Sequence, residues 1–277
     1  MKRVHIVSLS PRSGTTLLME LMVHCFVFEG YADHELELTC VPDMPVERFC
    51  SKHTPGLKIA LPMLKRQPSL WVICVVRDPR DVVVSRHSKR PDAYWAHLGL
   101  VRSRIKYFRA ARDHQRFIVV RYEDLVRDPG AVQSNLQNTI PFLENTHDFS
   151  CFHEIAAPTR RAVEALSGVR AISTDSIGRW KTELPRLKAQ IERYGDINSL
   201  LAELSYERDA SWTHLLDGIS ADNGNSYLED RSIFSRHHLR LSLGRSLRFW
   251  RAMIGVPQKH KIILKRQRPR AAGSPGY

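Results

Sequence analysis

The sequence predicts an α/β fold of three layers: a central parallel sheet with helices on both faces and a phosphate-binding strand-loop-helix. Three observations carry that expectation. Short apolar runs at 4–9, 70–76 and 117–122 read as parallel strands buried on both faces. Helical patterns separate them, and such alternation places ligands at the carboxyl ends of the strands. Third, "SLSPRSGTTLLMELM" (residues 8–22) crowds small and hydroxyl residues into the first strand-to-helix turn, the usual build of a phosphate cradle.

Taken in order, the strand at 4–9 feeds that turn and then a helix over 15–28. A second helix over 55–66 precedes the strand at 70–76, and a third over 94–114 precedes the strand at 117–122. Beyond Tyr122 the pattern turns mostly helical, with candidates at 130–143, 159–166 and 184–194. The polar stretch 217–230, containing "SADNGNS", reads as a linker. It divides a main domain (1–216) from a C-terminal tail (231–277). In that tail Leu239, Leu243, Leu247, Trp250 and Ile254 fall on one helical stripe, with Arg240, Arg245, Arg248 and Arg251 away from it. That is a basic amphipathic helix suited to an anionic membrane surface or to docking on the body. Residues 259–277 look disordered.

The 277 residues carry a net charge of +13, but its distribution matters more than its size. Residues 231–277 hold 12 Lys/Arg and no Asp or Glu, leaving the body nearly neutral. No apolar run approaches the roughly 20 residues of a membrane span. Strand-like sequence from Val4 leaves no room for a leader before it. Five cysteines without metal-ligand spacing suggest reduced thiols and a cytoplasmic setting, peripheral to the membrane if the tail binds lipid. No metal constellation appears: His237 and His238 are adjacent rather than helix-spaced.

In the cradle, Gly14 lets backbone approach an anion, Ser13, Thr15 and Thr16 offer hydroxyls, and Arg12 offers a fork suited to phosphate. The lysine that follows the glycine in nucleotide hydrolases is missing. A second segment, "VVRDPRDVVVSRHSKR", puts Arg77 at a strand end and Ser85 eight residues on. Together with "RYEDL" (121–125) and "SIGRWK" (176–181), these segments resemble the sulfotransferase family that uses 3′-phosphoadenosine 5′-phosphosulfate (PAPS), in family order. The resemblance implies a P-loop NTP hydrolase-like sulfotransferase fold, a PAPS cosubstrate, adenosine 3′,5′-bisphosphate (PAP) as product, and no metal. It implies that Arg12, Ser13, Gly14, Thr15 and Thr16 hold the 5′-phosphosulfate. Arg77 and Ser85 would hold the 3′-phosphate, and Tyr122 would approach the adenine. Ser176, Gly178, Arg179 and Trp180 would close over the nucleotide, with core packing as the alternative for Trp180.

Sulfuryl transfer is an in-line displacement in which positioning and electrostatics dominate. Arg12 and Lys52, in "FCSKHTPGL", are the candidate cations at the departing oxygen, the lysine matching one of the family. The acceptor hydroxyl needs a base. Glu35 in "YADHELEL", its neighbour His34, and His53 beside Lys52 are the candidates. Resemblance to carbohydrate-directed members points to a hydroxyl on a glycan or glycolipid, with a small alcohol also open. A P-loop kinase or NTPase would need the missing lysine. A membrane or nucleic-acid binding protein would rest on the tail alone, which lacks a recognisable nucleic-acid fold.

Overall fold

The computed structural model describes residues 1–87, 90–222, 224, 226–228 and 236–264. Its strands are β1 (Lys2–Ser8), β2 (Gly30–Glu35), β3 (Cys40–Pro42), β4 (Arg48–Lys52), β5 (Leu70–Val76), β6 (Arg86–His87), β7 (Arg90–Tyr94), β8 (Phe117–Arg121), β9 (Gln258–His260) and β10 (Ile263–Leu264). The main sheet runs β10-β2-β4-β1-β5-β8, parallel throughout except at the β10–β2 edge. Helices are α1 (Thr15–Cys25), α2 (Leu57–Arg66), α3 (Pro79–Val83), α4 (Leu98–Ala111), α5 (Tyr122–Arg127), α6 (Pro129–Thr139), α7 (Phe152–Ile155), α8 (Arg160–Leu166), α9 (Leu184–Tyr194), α10 (Asn198–Glu203) and α11 (Arg236–Met253).

The three layers follow from strand alternation. Ile73 and Val75 of β5 join Leu18 and Met22 of α1 in one core, while Val72, Cys74 and Val76 join α2 and α4 on the other face. A third cluster, with Trp180, Leu187, Leu201 and Trp212, sits under α9 and α10.

Two inner strands, β2 and β4, were not expected. The sequence of β4, "RFCSK", is too polar to announce itself, yet Ser51 and Lys52 are buried. Arg3 explains the first of these. Its buried guanidinium donates to Ser51 Oγ and to the carbonyls of Leu38 (3.0 Å) and Cys40 (2.8 Å), pinning the chain that leaves β2. Burial lowers the Arg3 pKa to about 10. The third expected helix starts late, at Leu98, because Arg90–Tyr94 is drawn into the β6–β7 hairpin.

The C-terminal segment departs from the sequence reading. Of the residues expected to be disordered (259–277), 259–264 pair with the body, and 265–277 lie outside the described residues: β9 lies parallel to β3, and β10 covers the outer edge of β2. Helix α11 packs by Phe249, Ala252 and Met253 rather than by the expected stripe. Arg248 forks onto Glu37 at 2.6 and 2.7 Å. Leu247, Trp250 and Ile254 are left 62%, 64% and 70% exposed; the side chains of Leu239 and Leu243 lie outside the described residues. Described parts of the polar stretch are anchored too: Asp222 N–H donates to Pro185 O, Tyr227 N–H to Tyr94 O, and the Tyr227 ring stacks on Trp95. Among the described residues no helix is long and apolar enough to cross a membrane.

Candidate active site

The cradle forms where β1 ends. Ser8 and Ser13 hydroxyls both donate to Ser10 O (2.6 and 2.8 Å), winding the loop tightly. Arg12 and Gly14 turn with φ of 65° and 88°. At Gly14 the conformation and the space both require glycine, since an added Cβ would lie 2.5 Å from the Tyr122 ring. No side chain caps α1, so the N–H groups of its first turn are not spent on one.

From β5, Arg77 reaches back across the loop. It donates to Arg12 O (2.9 Å) and Ser176 O, with its guanidinium 4.6 Å from the centre of the Tyr122 ring. Arg12 Nε donates to Ser85 Oγ (3.2 Å), so the two expected phosphate segments meet. Burial first, then the neighbouring Arg77 charge, lowers the Arg12 pKa. Two guanidinium groups crowded in this way repel each other, and a bound anion would relieve that repulsion.

These groups open onto a cleft of about 430 Å³. Arg12, Gly14, Thr15, Thr16, Arg77, Tyr122, Ser176 and Arg179 line it. Arg86 and Arg170 add two cations that the sequence analysis did not select. Its described lining contains five arginines and no Asp or Glu. Leu17, Val126 and Phe152 supply an apolar wall. The hydroxyl of Ser13 is buried within the loop, and Ser85 stands behind Arg12 rather than in the lining.

Trp180 is corrected. It is 3% exposed, at right angles to Trp212, with the Arg80 guanidinium 4.2 Å from its ring and 4.8 Å from that of Trp212. Arg80 is held there by Asp78 (2.7 Å) and Glu207 (2.6 Å), so the indole is committed to the core. The loop it anchors is organised by Asp81, whose carboxylate accepts from Gly178 N–H (2.8 Å) and Trp180 N–H (3.0 Å). Gly178 thus serves the loop's own fold, leaving Ser176 and Arg179 at the cleft.

A second cluster lies one strand away. Lys52 of β4 is in register with Ile6 of β1 on one side and Glu35 of β2 on the other. Lys52 Nζ donates to Glu35 Oε1 at 2.7 Å, and Thr54 N–H donates to Oε2 at 2.7 Å. Burial pushes the Glu35 carboxyl up, but Lys52 and the Thr54 N–H outweigh it and hold the pKa below the usual range. His34 is exposed on β2, with a pKa lowered by burial and by Lys52. His53 faces a separate cavity under α11.

A family model described as a sulfotransferase domain matches residues 2–197. No curated protein sequence matches the chain. Among solved structures, a mouse sulfotransferase complexed with PAP shares 15% identity over 73% of this chain and 88% of its own, with a TM-score of 0.43. The sulfotransferase domain from the curacin biosynthetic pathway shares 18% over 74% and 97%, with a TM-score of 0.44. Retinol dehydratase in complex with androsterone and inactive cofactor PAP shares 13% over 80% and 82%, with a TM-score of 0.39.

Proposed function

The chain belongs to the sulfotransferase domain family, and from that premise we propose that it moves a sulfuryl group from PAPS to an acceptor hydroxyl on a glycan or glycolipid. One observation carries the reading: a glycine-built cradle and five arginines converge on a single cleft whose described lining holds no carboxylate. Such a donor set suits a ligand with two separate anionic ends and no accompanying divalent ion. A nucleotide hydrolase would need a lysine after the cradle glycine, where Thr15 stands.

In this reading Arg12, the Ser13–Thr16 backbone and the hydroxyls of Thr15 and Thr16 hold the phosphosulfate. Arg77, steadied by Ser176 O, takes the 3′-phosphate with Ser85 in support through Arg12. Tyr122 takes the adenine, and Arg179 closes the rim. The bound cosubstrate supplies the sulfuryl group. Glu35 accepts the acceptor's hydroxyl proton, and Oε1 is the oxygen that already faces Lys52. As that carboxylate is neutralised its hold on Lys52 weakens. The ammonium is then available to the negative charge growing on the departing oxygen.

Calorimetry with PAP tests the cleft. Binding is expected to be equal with and without EDTA, and Arg77→Ala should weaken it roughly ten- to a hundredfold, the worth of a charge-assisted contact. Absolute dependence on a divalent ion would remove the reading.

The three-part division stays as a proposal: a sulfotransferase unit (1–216), a connector (217–230) and a tail (231–277) clipped back onto the sheet. The exposed Leu247, Trp250 and Ile254, beside Arg251, favour peripheral contact of the tail with anionic lipid in a cytoplasmic setting. The chain should co-sediment with anionic vesicles at low salt and release as salt rises. Leu247→Ser with Trp250→Ser should abolish the binding; vesicle binding unaffected by the double variant would reject this role for the helix.

A further inference from the structure

The ladder that would place Glu35 is broken just before it. β2 pairs with β4 at Gly30 and Tyr31 and again at Glu35 with Lys52, but Ala32, Asp33 and His34 stand where β4 has only Ser51. Such a bulge interrupts the register handed down from Tyr31, so contacts beyond Glu35 must hold it in place. Leu36 N–H donates to Lys52 O (2.8 Å). The next anchors come from one side chain, Arg3 of β1. Its Nη1 donates to Leu38 O (3.0 Å) and Cys40 O (2.8 Å), and its Nε and Nη2 donate to Ser51 Oγ (3.3 and 3.1 Å). Nη2 also lies 3.3 Å from His5 Nδ1, and a guanidinium can only donate. His5 Nδ1 is therefore an acceptor, and the Ser51 hydroxyl donates to it at 2.8 Å. Arg3 is 1% exposed, and its described partners include no carboxylate. A buried cation without a counter-ion is costly, so its rigid fork of donors is kept for what it holds together.

We propose that Arg3 is a positioning residue for sulfuryl transfer: by tying Leu38, Cys40 and Ser51 together it keeps Glu35 in contact with Lys52. This role rests on the reading of Glu35 as the base, and adds to it a residue that lies outside the cleft lining and outside every motif. Leu38 comes three residues after Glu35, and Ser51 immediately precedes Lys52. One guanidinium thus steadies the chain on both sides of the 2.7 Å contact between Lys52 Nζ and Glu35 Oε1. Its effect passes through backbone, across the bulge that the β2–β4 ladder leaves unpaired. A lysine in its place would keep the charge and lose the fork, since one nitrogen cannot serve two carbonyls and a hydroxyl on separate strands.

The experiment is a pH titration of the full chain loaded with PAP, with glutamate carboxyls labelled with ¹³C and the Glu35 signal assigned by its loss in Glu35→Gln. Burial pushes the Glu35 carboxyl up, while Lys52 first, then the Thr54 N–H and His53, hold it down. Loosening the Lys52 contact in Arg3→Lys should therefore move its titration upward. Glu203, held low by Arg109 on α4, should titrate unchanged. Sulfate release from PAPS, with water as the acceptor, should fall roughly ten- to a hundredfold, the cost of a misplaced reacting group, with PAP affinity retained. In a Glu35→Gln background the same substitution should cost no more than about threefold, because no proton acceptor is left to place. Ser51→Ala cuts only the link to β4 and should show the same effects at smaller size; it carries the test if Arg3→Lys does not fold. A Glu35 titration unmoved in the folded variants, or losses that multiply in the double variant, would overturn the role of Arg3. Release by Glu35→Gln as fast as by the parent would instead take down the base assignment, so the two failures are distinguishable.

Discussion

Glu35→Gln is expected to slow sulfuryl transfer roughly 10²–10⁴-fold, the worth of a positioned general base, with PAP affinity nearly unchanged. The amide keeps the carboxylate's shape, and its oxygen can still accept from either Lys52 or the Thr54 N–H. What it loses is the capacity to take a proton. His53→Ala is the comparison, because His53 faces the cavity beneath α11. A large loss confined to that variant would transfer the base assignment to His53. The carboxyl also leaves a mark on stability. Burial raises its pKa, but Lys52 and the Thr54 N–H lower it further, to below the value of about 4.3 expected in an unfolded chain. A depressed folded-state pKa contributes stability above the unfolded value, and that contribution is lost as pH falls through the folded one. The melting-temperature deficit of Glu35→Gln should therefore be present at neutral pH and shrink in acid below the ordinary glutamate range. A deficit that does not change with pH would remove the ion pair as its cause.

Lys52→Ala should lower kcat by roughly 10²–10³-fold if its ammonium meets charge that develops only in the transition state. PAP affinity should change little, because at rest the Lys52 ammonium is held by Glu35 and is released only as that carboxylate is neutralised. The same substitution removes the main cation that depresses the Glu35 carboxyl, so the acid limb of the pH–rate profile should move upward. A kcat within threefold of the parent, or an unmoved acid limb, would end the catalytic role of Lys52.

The parts of this fold that were legible in the sequence are those written as unbroken apolar runs. β5 reads so because helices cover both sides of it; β8, at the edge of the sheet, reads so although its Val119 is exposed. β4 escaped notice because its buried positions are filled by Ser51 and Lys52, which are satisfied by Arg3 and Glu35 from distant parts of the chain. No local pattern announces such pairing. The cradle was legible for the opposite reason: Gly14, Thr15 and Arg12 act within one turn. Trp180 misled because what holds it, Arg80 and Trp212, lies a hundred residues before and over thirty after. Arg170 reaches the cleft from a loop with no motif around it, and Arg86 from the β6–β7 hairpin, one residue past the Ser85 at which the motif's spacing ends. The tail's stripe was visible, but only packing decides which face of a helix is used. Here Phe249, Ala252 and Met253 prevailed, with Arg248 on Glu37 setting the rotation.

The pairing of β10 with β2 has a consequence in time as well as in space. β2 bears Glu35, and near its start Gly30 and Tyr31 are bonded outward only through Leu264 and Ile263. On the ribosome those partners emerge long after β2 has met β4, an interval on the order of ten to fifty seconds at roughly 5–20 residues per second. Throughout that interval the sheet carries an unpaired margin able to recruit the same margin of another nascent chain. The strand that holds the candidate base is thus the last part of the main sheet to be closed. A polypeptide released at residue 230 would keep that margin open for its whole lifetime.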